Sequence, residues 1–93
     1  MAELRRQVTI VNELGLHARA ASKLVQIASR SPVDLQIGRD EMMVNAKSIM
    51  GVLMLAASKG TELTLVATGD EGPAVDVLDA LVALVADRFG EGR

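Results

Sequence analysis

Val8 and Ile10 alternate with Gln7 and Thr9 along Arg6–Asn12, a period of two that predicts a half-buried strand. Glu13-Leu14-Gly15-Leu16 breaks the alternation with a glycine. From Ala18 to Ser29 the apolar positions return at helical spacing, at Ala20, Ala21, Leu24, Val25, Ile27 and Ala28. Pro32 lacks the N–H that a helix needs and restricts Ser31 before it, so this helix ends there. Val33, Leu35 and Ile37 then alternate with Asp34, Gln36 and Gly38 as a second strand. The turn Gly38-Arg39-Asp40 leads into Glu41–Asn45, a third strand paired with the second as a hairpin. Ser48 stands at the N-cap of a short apolar helix, Ile49–Ala57. Leu63, Leu65 and Ala67 mark a fourth strand, and Gly69–Pro73 a turn that puts Pro73 in the first turn of a last helix. That helix, Ala74–Phe89, carries its apolar stripe at Ala74, Val77, Leu78, Leu81, Leu84 and Val85, opposite Asp76, Asp79 and Arg88. Gly90–Arg93 follows with no apolar anchor and is expected to fray.

The order β-α-β-β-α-β-α predicts an α+β fold, an antiparallel sheet with the helices gathered on one face. Each helix buries its stripe against the apolar side of the sheet, and the other side meets water. The 93 residues suffice for one core, so residues 1–93 are read as a single domain. Composition sharpens this picture. With no Trp, no Tyr and one Phe, the core has to be built from Leu, Val, Ile, Met and Ala. No cysteine is present, which removes disulfides and thiol chemistry, and a lone histidine cannot anchor an ordinary transition-metal site. Nothing in the composition calls for a cofactor. The N-terminus reads straight into a strand without a signal-peptide pattern, and no apolar run approaches the roughly 20 residues of a membrane helix. A cytoplasmic, monomeric protein without a membrane partner is expected.

Charge is close to balanced, at −2, but unevenly placed. Residues 1–30 hold five basic and two acidic groups, whereas residues 61–93 hold two basic and seven acidic. The acidic part reads as a solvated helix face. Without aromatic stacking platforms or a continuous basic stripe, nucleic acid is not the expected partner.

The basic third contains the only histidine, His17, where a strand, a glycine turn and a helix start meet. The first N–H groups of a helix lack intrahelical partners and carry partial positive charge, so a phosphate there finds ready donors. Arg19 adds a planar cationic fork suited to phosphate oxygens, and Lys23 lies one turn further on. Gly15, Ala18 and Ala20 are expected to keep bulk away from the ring. An imidazole so placed can take a phosphoryl group. On spacing alone, a helix cap or an exposed polar residue explains His17 as well.

The string G-L-H-A-R-A-A, Gly15 to Ala21, resembles the active-site motif of the histidine-containing phosphocarrier (HPr) family and its nitrogen-related branch. V-N-A-K-S-I-M-G-V-L-M-L, Val44 to Leu55, resembles that family's regulatory serine segment, and the likeness spans essentially the whole chain. The resemblance implies an open-faced β-sandwich of four antiparallel strands with three helices on one side. It implies a carrier, not an enzyme: His17 would take phosphate from phosphorylated Enzyme I, itself charged by phosphoenolpyruvate, and pass it to an Enzyme IIA-type acceptor. Arg19 would assist the phosphohistidine. Ser48 would be the target of an HPr kinase/phosphorylase in organisms that have one. One departure stands out. The family commonly has proline directly after the arginine, where this chain has Ala20.

Ser48 also has an ordinary reading as a cap, worth on the order of 1 kcal/mol. Ile49, Met50 and Leu53, together with Met54, cannot all face the sheet from so short a helix. Part of this set is therefore expected to form an apolar docking face, while Arg19 and Lys23 beside His17 supply positive charge for acidic partners. Two other functions compete with the carrier: a regulator whose phosphorylation state is sensed by partners, and an enzyme using His17 as general base. The second lacks any accompanying nucleophile or acid at a recognisable spacing.

Overall fold

The computed structural model describes all of residues 1–93. Its strands are β1 (Ala2–Thr9), β2 (Asp34–Arg39), β3 (Met42–Asn45) and β4 (Glu62–Gly69). Its helices are α1 (Ala18–Ser29), α2 (Ile49–Met54) and α3 (Glu71–Ala86), followed by one 3₁₀ turn at Arg88–Gly90. The four strands form one antiparallel sheet in the order β1-β4-β2-β3. The expected α+β open-faced sandwich is the fold observed.

Strand alternation decides which side is filled. Val8, Leu35, Ile37, Leu63, Leu65 and Ala67 point inward and are buried, while Glu3, Arg5, Gln7, Asp34 and Gln36 on the other side are exposed. Val66 departs from strict alternation: it lies on the open side of central strand β4 and is still buried. Leu24 and Ala28 of α1, Val52 of α2, and Leu78 and Leu81 of α3 close the core from the helical layer. Small side chains at Ala20, Ala21 and Ala74, all fully buried, let the helices sit close to the sheet.

Several boundaries shift. β1 begins at Ala2, because Leu4 continues the inward phase and every residue to Thr9 pairs with β4. α2 stops at Met54, short of the expected Ala57; Leu55 and Ala57 are buried but lie outside the helix, and Ala56 takes a left-handed φ of 48°. α3 ends at Ala86, three residues early. There the chain leaves the helix through three successive left-handed residues, Arg88, Phe89 and Gly90. For Arg88 and Phe89 that conformation costs about 1–2 kcal/mol each. Burial of Phe89, the only aromatic residue and fully enclosed in the core, offsets it.

Phe89 thus holds the C-terminal segment in place as well as filling the core. Phe89→Ala is expected to lower unfolding stability by about 3–5 kcal/mol, read as a reduced midpoint in urea denaturation with an unchanged slope. A loss below about 1 kcal/mol would show that the segment is held by something other than this ring.

Candidate phosphoryl-acceptor site

Gly15 sets the site's geometry. Its φ is +68°, and a Cβ there would come within 2.6 Å of the Ala57 carbonyl oxygen. Leu16 N–H donates to that same oxygen at 2.8 Å, so the chain is pressed against the link between α2 and β4 just before His17. The turn is closed from both sides: Gly15 N–H donates to the Asn12 carbonyl, and Asn12 Nδ2 donates to the Gly15 carbonyl at 2.9 Å.

His17 is the N-cap of α1, with extended backbone, and its side chain is 26 % exposed. Arg19 N–H donates to His17 Nδ1 at 3.3 Å, while Nε2 meets a Glu91 carboxylate oxygen. A carboxylate can only accept, and an Nδ1 that accepts carries no proton. The two contacts together select the tautomer with hydrogen on Nε2 and the lone pair on Nδ1, facing the helix start. The Ala18 and Ala20 N–H groups have no hydrogen-bond partner within the chain. Ala20 is buried in the core, and Ala18 is on the surface. What alanine provides at position 20 is an N–H that proline would delete.

The Arg19 guanidinium is exposed and makes no hydrogen bond or ion pair within the chain. It shares an open recess of about 320 Å³ with Glu13, Leu14, Glu91, Gly92 and Arg93. Lys23 does not stand free beside His17; its Nζ donates to the Phe89 carbonyl at 2.6 Å. Ser48 caps α2 as expected, its Oγ accepting from Gly51 N–H at 3.1 Å. On α2, Ile49, Met50 and Met54 are exposed. Leu53, between them, is partly buried and packs against the core.

The C-terminal residues overturn the expected fraying. Glu91 reaches both His17 Nε2 and, at 2.8 Å, Asn12 Nδ2. Asn12 is fully buried and is the one buried polar residue of the chain. Sequence reading missed both residues. Asn12 had a signal, since it continues the inward phase of Val8 and Ile10 and a polar group there is out of place. Glu91 had none.

The arrangement is an unprotonated ring nitrogen at an open helix N-terminus, with a free guanidinium nearby and a carboxylate behind the ring. No group of residues able to hold a metal ion occurs, and no helix is long and apolar enough to cross a membrane. Residues 4–87 match the family model described as the PTS HPr component phosphorylation site. The chain belongs to the HPr family, the phosphocarriers of the phosphotransferase system. Members of this family carry a phosphoryl group and are not themselves catalysts. The chain is 49 % identical to phosphocarrier protein HPr of Cupriavidus necator over 90 residues, covering 97 % of this chain and 99 % of that one. It is 45 % identical to phosphocarrier protein NPr of Shewanella violacea, covering 98 % of each. The crystal structure of HPr-C-His from Thermoanaerobacter tengcongensis superposes with a TM-score of 0.88 at 40 % identity, covering all of both chains.

The His17 ring, first, and the Asn12 amide, second, hold the Glu91 carboxyl below its ordinary range, against the opposing effect of burial. Folding therefore favours ionised Glu91. Its contribution is fully present above the pKa of the unfolded chain and is lost as pH falls through the lower folded value. The ¹³C carboxyl resonance of Glu91 should titrate at lower pH in the folded protein than in urea, and His17→Ala should raise the midpoint more than Asn12→Ala. Equal midpoints in folded and unfolded chains would remove the hydrogen-bonded link between tail and ring.

Proposed function

We propose that His17 is the phosphoryl acceptor of this HPr-family carrier, through Nδ1. Phosphorylated Enzyme I would be the donor, and a histidine of an Enzyme IIA-type protein the next acceptor. The observation that carries this reading is the orientation of the ring: Nε2 is occupied by Glu91, while Nδ1 accepts from Arg19 N–H at the start of α1, where the Ala18 and Ala20 N–H groups have no partner. In the transfer the Nδ1 lone pair attacks phosphorus, and the bond to the donor breaks with its electrons returning to the donor. The phosphoryl oxygens then lie among the Ala18, Arg19 and Ala20 N–H groups, with the helix dipole in their favour. The Arg19 guanidinium, uncommitted in the free protein, closes over them as a planar fork. The whole chain acts as one HPr-like domain, monomeric and cytoplasmic, with no metal or cofactor of its own.

His17→Ala is expected to abolish labelling by Enzyme I and phosphoenolpyruvate. The fold should persist, because the ring is a partly exposed cap. Acid treatment checks the chemistry, since a phosphoramidate is hydrolysed and a phosphoserine is not. Full labelling of His17→Ala would place the acceptor elsewhere.

Ile49 and Met50, with Met54, supply the apolar docking face; Leu53 and Lys23 would contribute at its base and rim. Ser48, at the head of this helix, is the proposed target of an HPr kinase/phosphorylase, whose phosphate would bring roughly two negative charges to that face. Ser48→Asp should keep the cap and leave stability unchanged. Transfer from Enzyme I should slow through weaker binding, because a carboxylate at an apolar contact is hard to pair. Rate measured against Enzyme I concentration tests this; coincident curves for the two proteins would leave Ser48 an ordinary helix cap.

A further inference from the structure

Beyond α3 the chain could simply end. Instead Arg88–Gly90 turns left-handed, Phe89 drops into the core, Lys23 Nζ holds the Phe89 carbonyl, and Glu91 is delivered to the back of the His17 ring. These last residues lie outside the 4–87 span that the family model matches. Glu91 is 15 % exposed and divides its two carboxylate oxygens, one to Nε2 and one to Asn12 Nδ2. Asn12 is itself fully buried and is tied to the Gly15 turn through the same amide. The carboxylate is therefore fixed from behind by a rigid donor, and its other oxygen has only the ring to serve. The backbone strain at Arg88 and Phe89 shows that the tail is held in this position by its contacts and not by local preference.

We propose that Glu91 is a positioning residue for phosphoryl transfer: it pins the proton on Nε2, directs the reacting lone pair to Nδ1, and neutralises the ring as it becomes cationic. This rests on the reading of His17 as phosphoryl acceptor. When a neutral imidazole bearing hydrogen on Nε2 forms its Nδ1–P bond, the ring gains a full positive charge, because no proton leaves. A carboxylate already hydrogen-bonded to Nε2–H meets that charge without reorganisation, so its interaction is stronger after attack than before. When the group moves on, the Nδ1–P bond breaks, its electrons return to Nδ1, and the ring is neutral again with the same proton in place. Glu91 thus acts on both reception and delivery without touching the phosphoryl group. It also blocks Nε2, so that one phosphohistidine isomer is formed.

The test uses the full chain as wild type, Glu91→Ala and Glu91→Gln. In unphosphorylated wild type the Nε2–H proton of His17 should give a hydrogen-bonded, slowly exchanging imidazole resonance. It should be lost in Glu91→Ala and kept in Glu91→Gln, whose amide oxygen still accepts. Phosphoramidate, a small donor that needs no docking, should label wild type at Nδ1 alone, its P–N bond breaking with release of ammonia. Glu91→Ala should yield the Nε2 isomer as well, distinguished by ³¹P–¹⁵N coupling. Transfer from phosphorylated Enzyme I should fall roughly tenfold or more in Glu91→Ala, the scale on which loss of a carboxylate behind a metal-ligating histidine acts. Glu91→Gln should recover the isomer and only part of the rate, since it orients without neutralising. A Glu91→Ala protein labelled only at Nδ1 and at the wild-type rate overturns the proposal. Failure of the acceptor reading is separate and visible: His17→Ala would then still be labelled by Enzyme I, whatever the imidazole resonance shows about Glu91.

Discussion

The contact between the Gly15–Leu16 backbone and the Ala57 carbonyl is the joint on which the site is built. It needs a left-handed residue without a Cβ, because any side chain at position 15 would run into the Ala57 oxygen. It brings together the end of β1, the link between α2 and β4, and the start of α1. The direction in which α1 departs, and hence where its N-terminal N–H groups point, follows from that joint. His17 is next in line and takes the N-cap with no freedom to choose another place.

A second constraint acts from the far end of the chain. One buried amide, Asn12 Nδ2, serves both the Gly15 carbonyl that closes the turn and the Glu91 carboxylate that meets the ring. A buried polar group is costly unless it is partnered, so the turn and the tail support each other through a single side chain. The tail reaches it only because Phe89 is buried and the backbone tolerates left-handed Arg88 and Phe89. Core packing, which is non-directional, is here converted into the position of one carboxylate.

The two faces of His17 consequently meet opposite environments. On the Nδ1 side are N–H donors, a helix dipole and an unattached guanidinium; on the Nε2 side is an anion. A carrier must hold a phosphoryl group firmly enough to receive it and loosely enough to release it. With His17 as the proposed acceptor, fixed dipoles on one side and a hydrogen bond that keeps its proton on the other would meet both needs without a deep pocket. In the proposed docking face the exposed Met50 and Met54 would offer differently shaped partners an adaptable apolar surface.

Local pattern determined most of the architecture. Period-two and period-3.6 repeats, Pro32, the Ser48 cap and the glycine before His17 placed all four strands and three helices, since each depends on neighbours within a few residues. α1 was legible to the residue, because its N-cap and its stop are both written locally. The same strings located His17, Arg19 and Ser48, although the chemistry proposed for them came from their resemblance to HPr proteins. Long-range contact decided the rest. Leu53 packs partly against the core and Lys23 is taken up by a carbonyl 66 positions away, neither of which a helical period records. Glu91 sits 74 positions from His17 in a segment of glycine and charge that carries no periodicity, so nothing local could bring it to the ring. Only closure of the core around Phe89 did so, because the place of a chain end is set by what the whole fold leaves for it to bury.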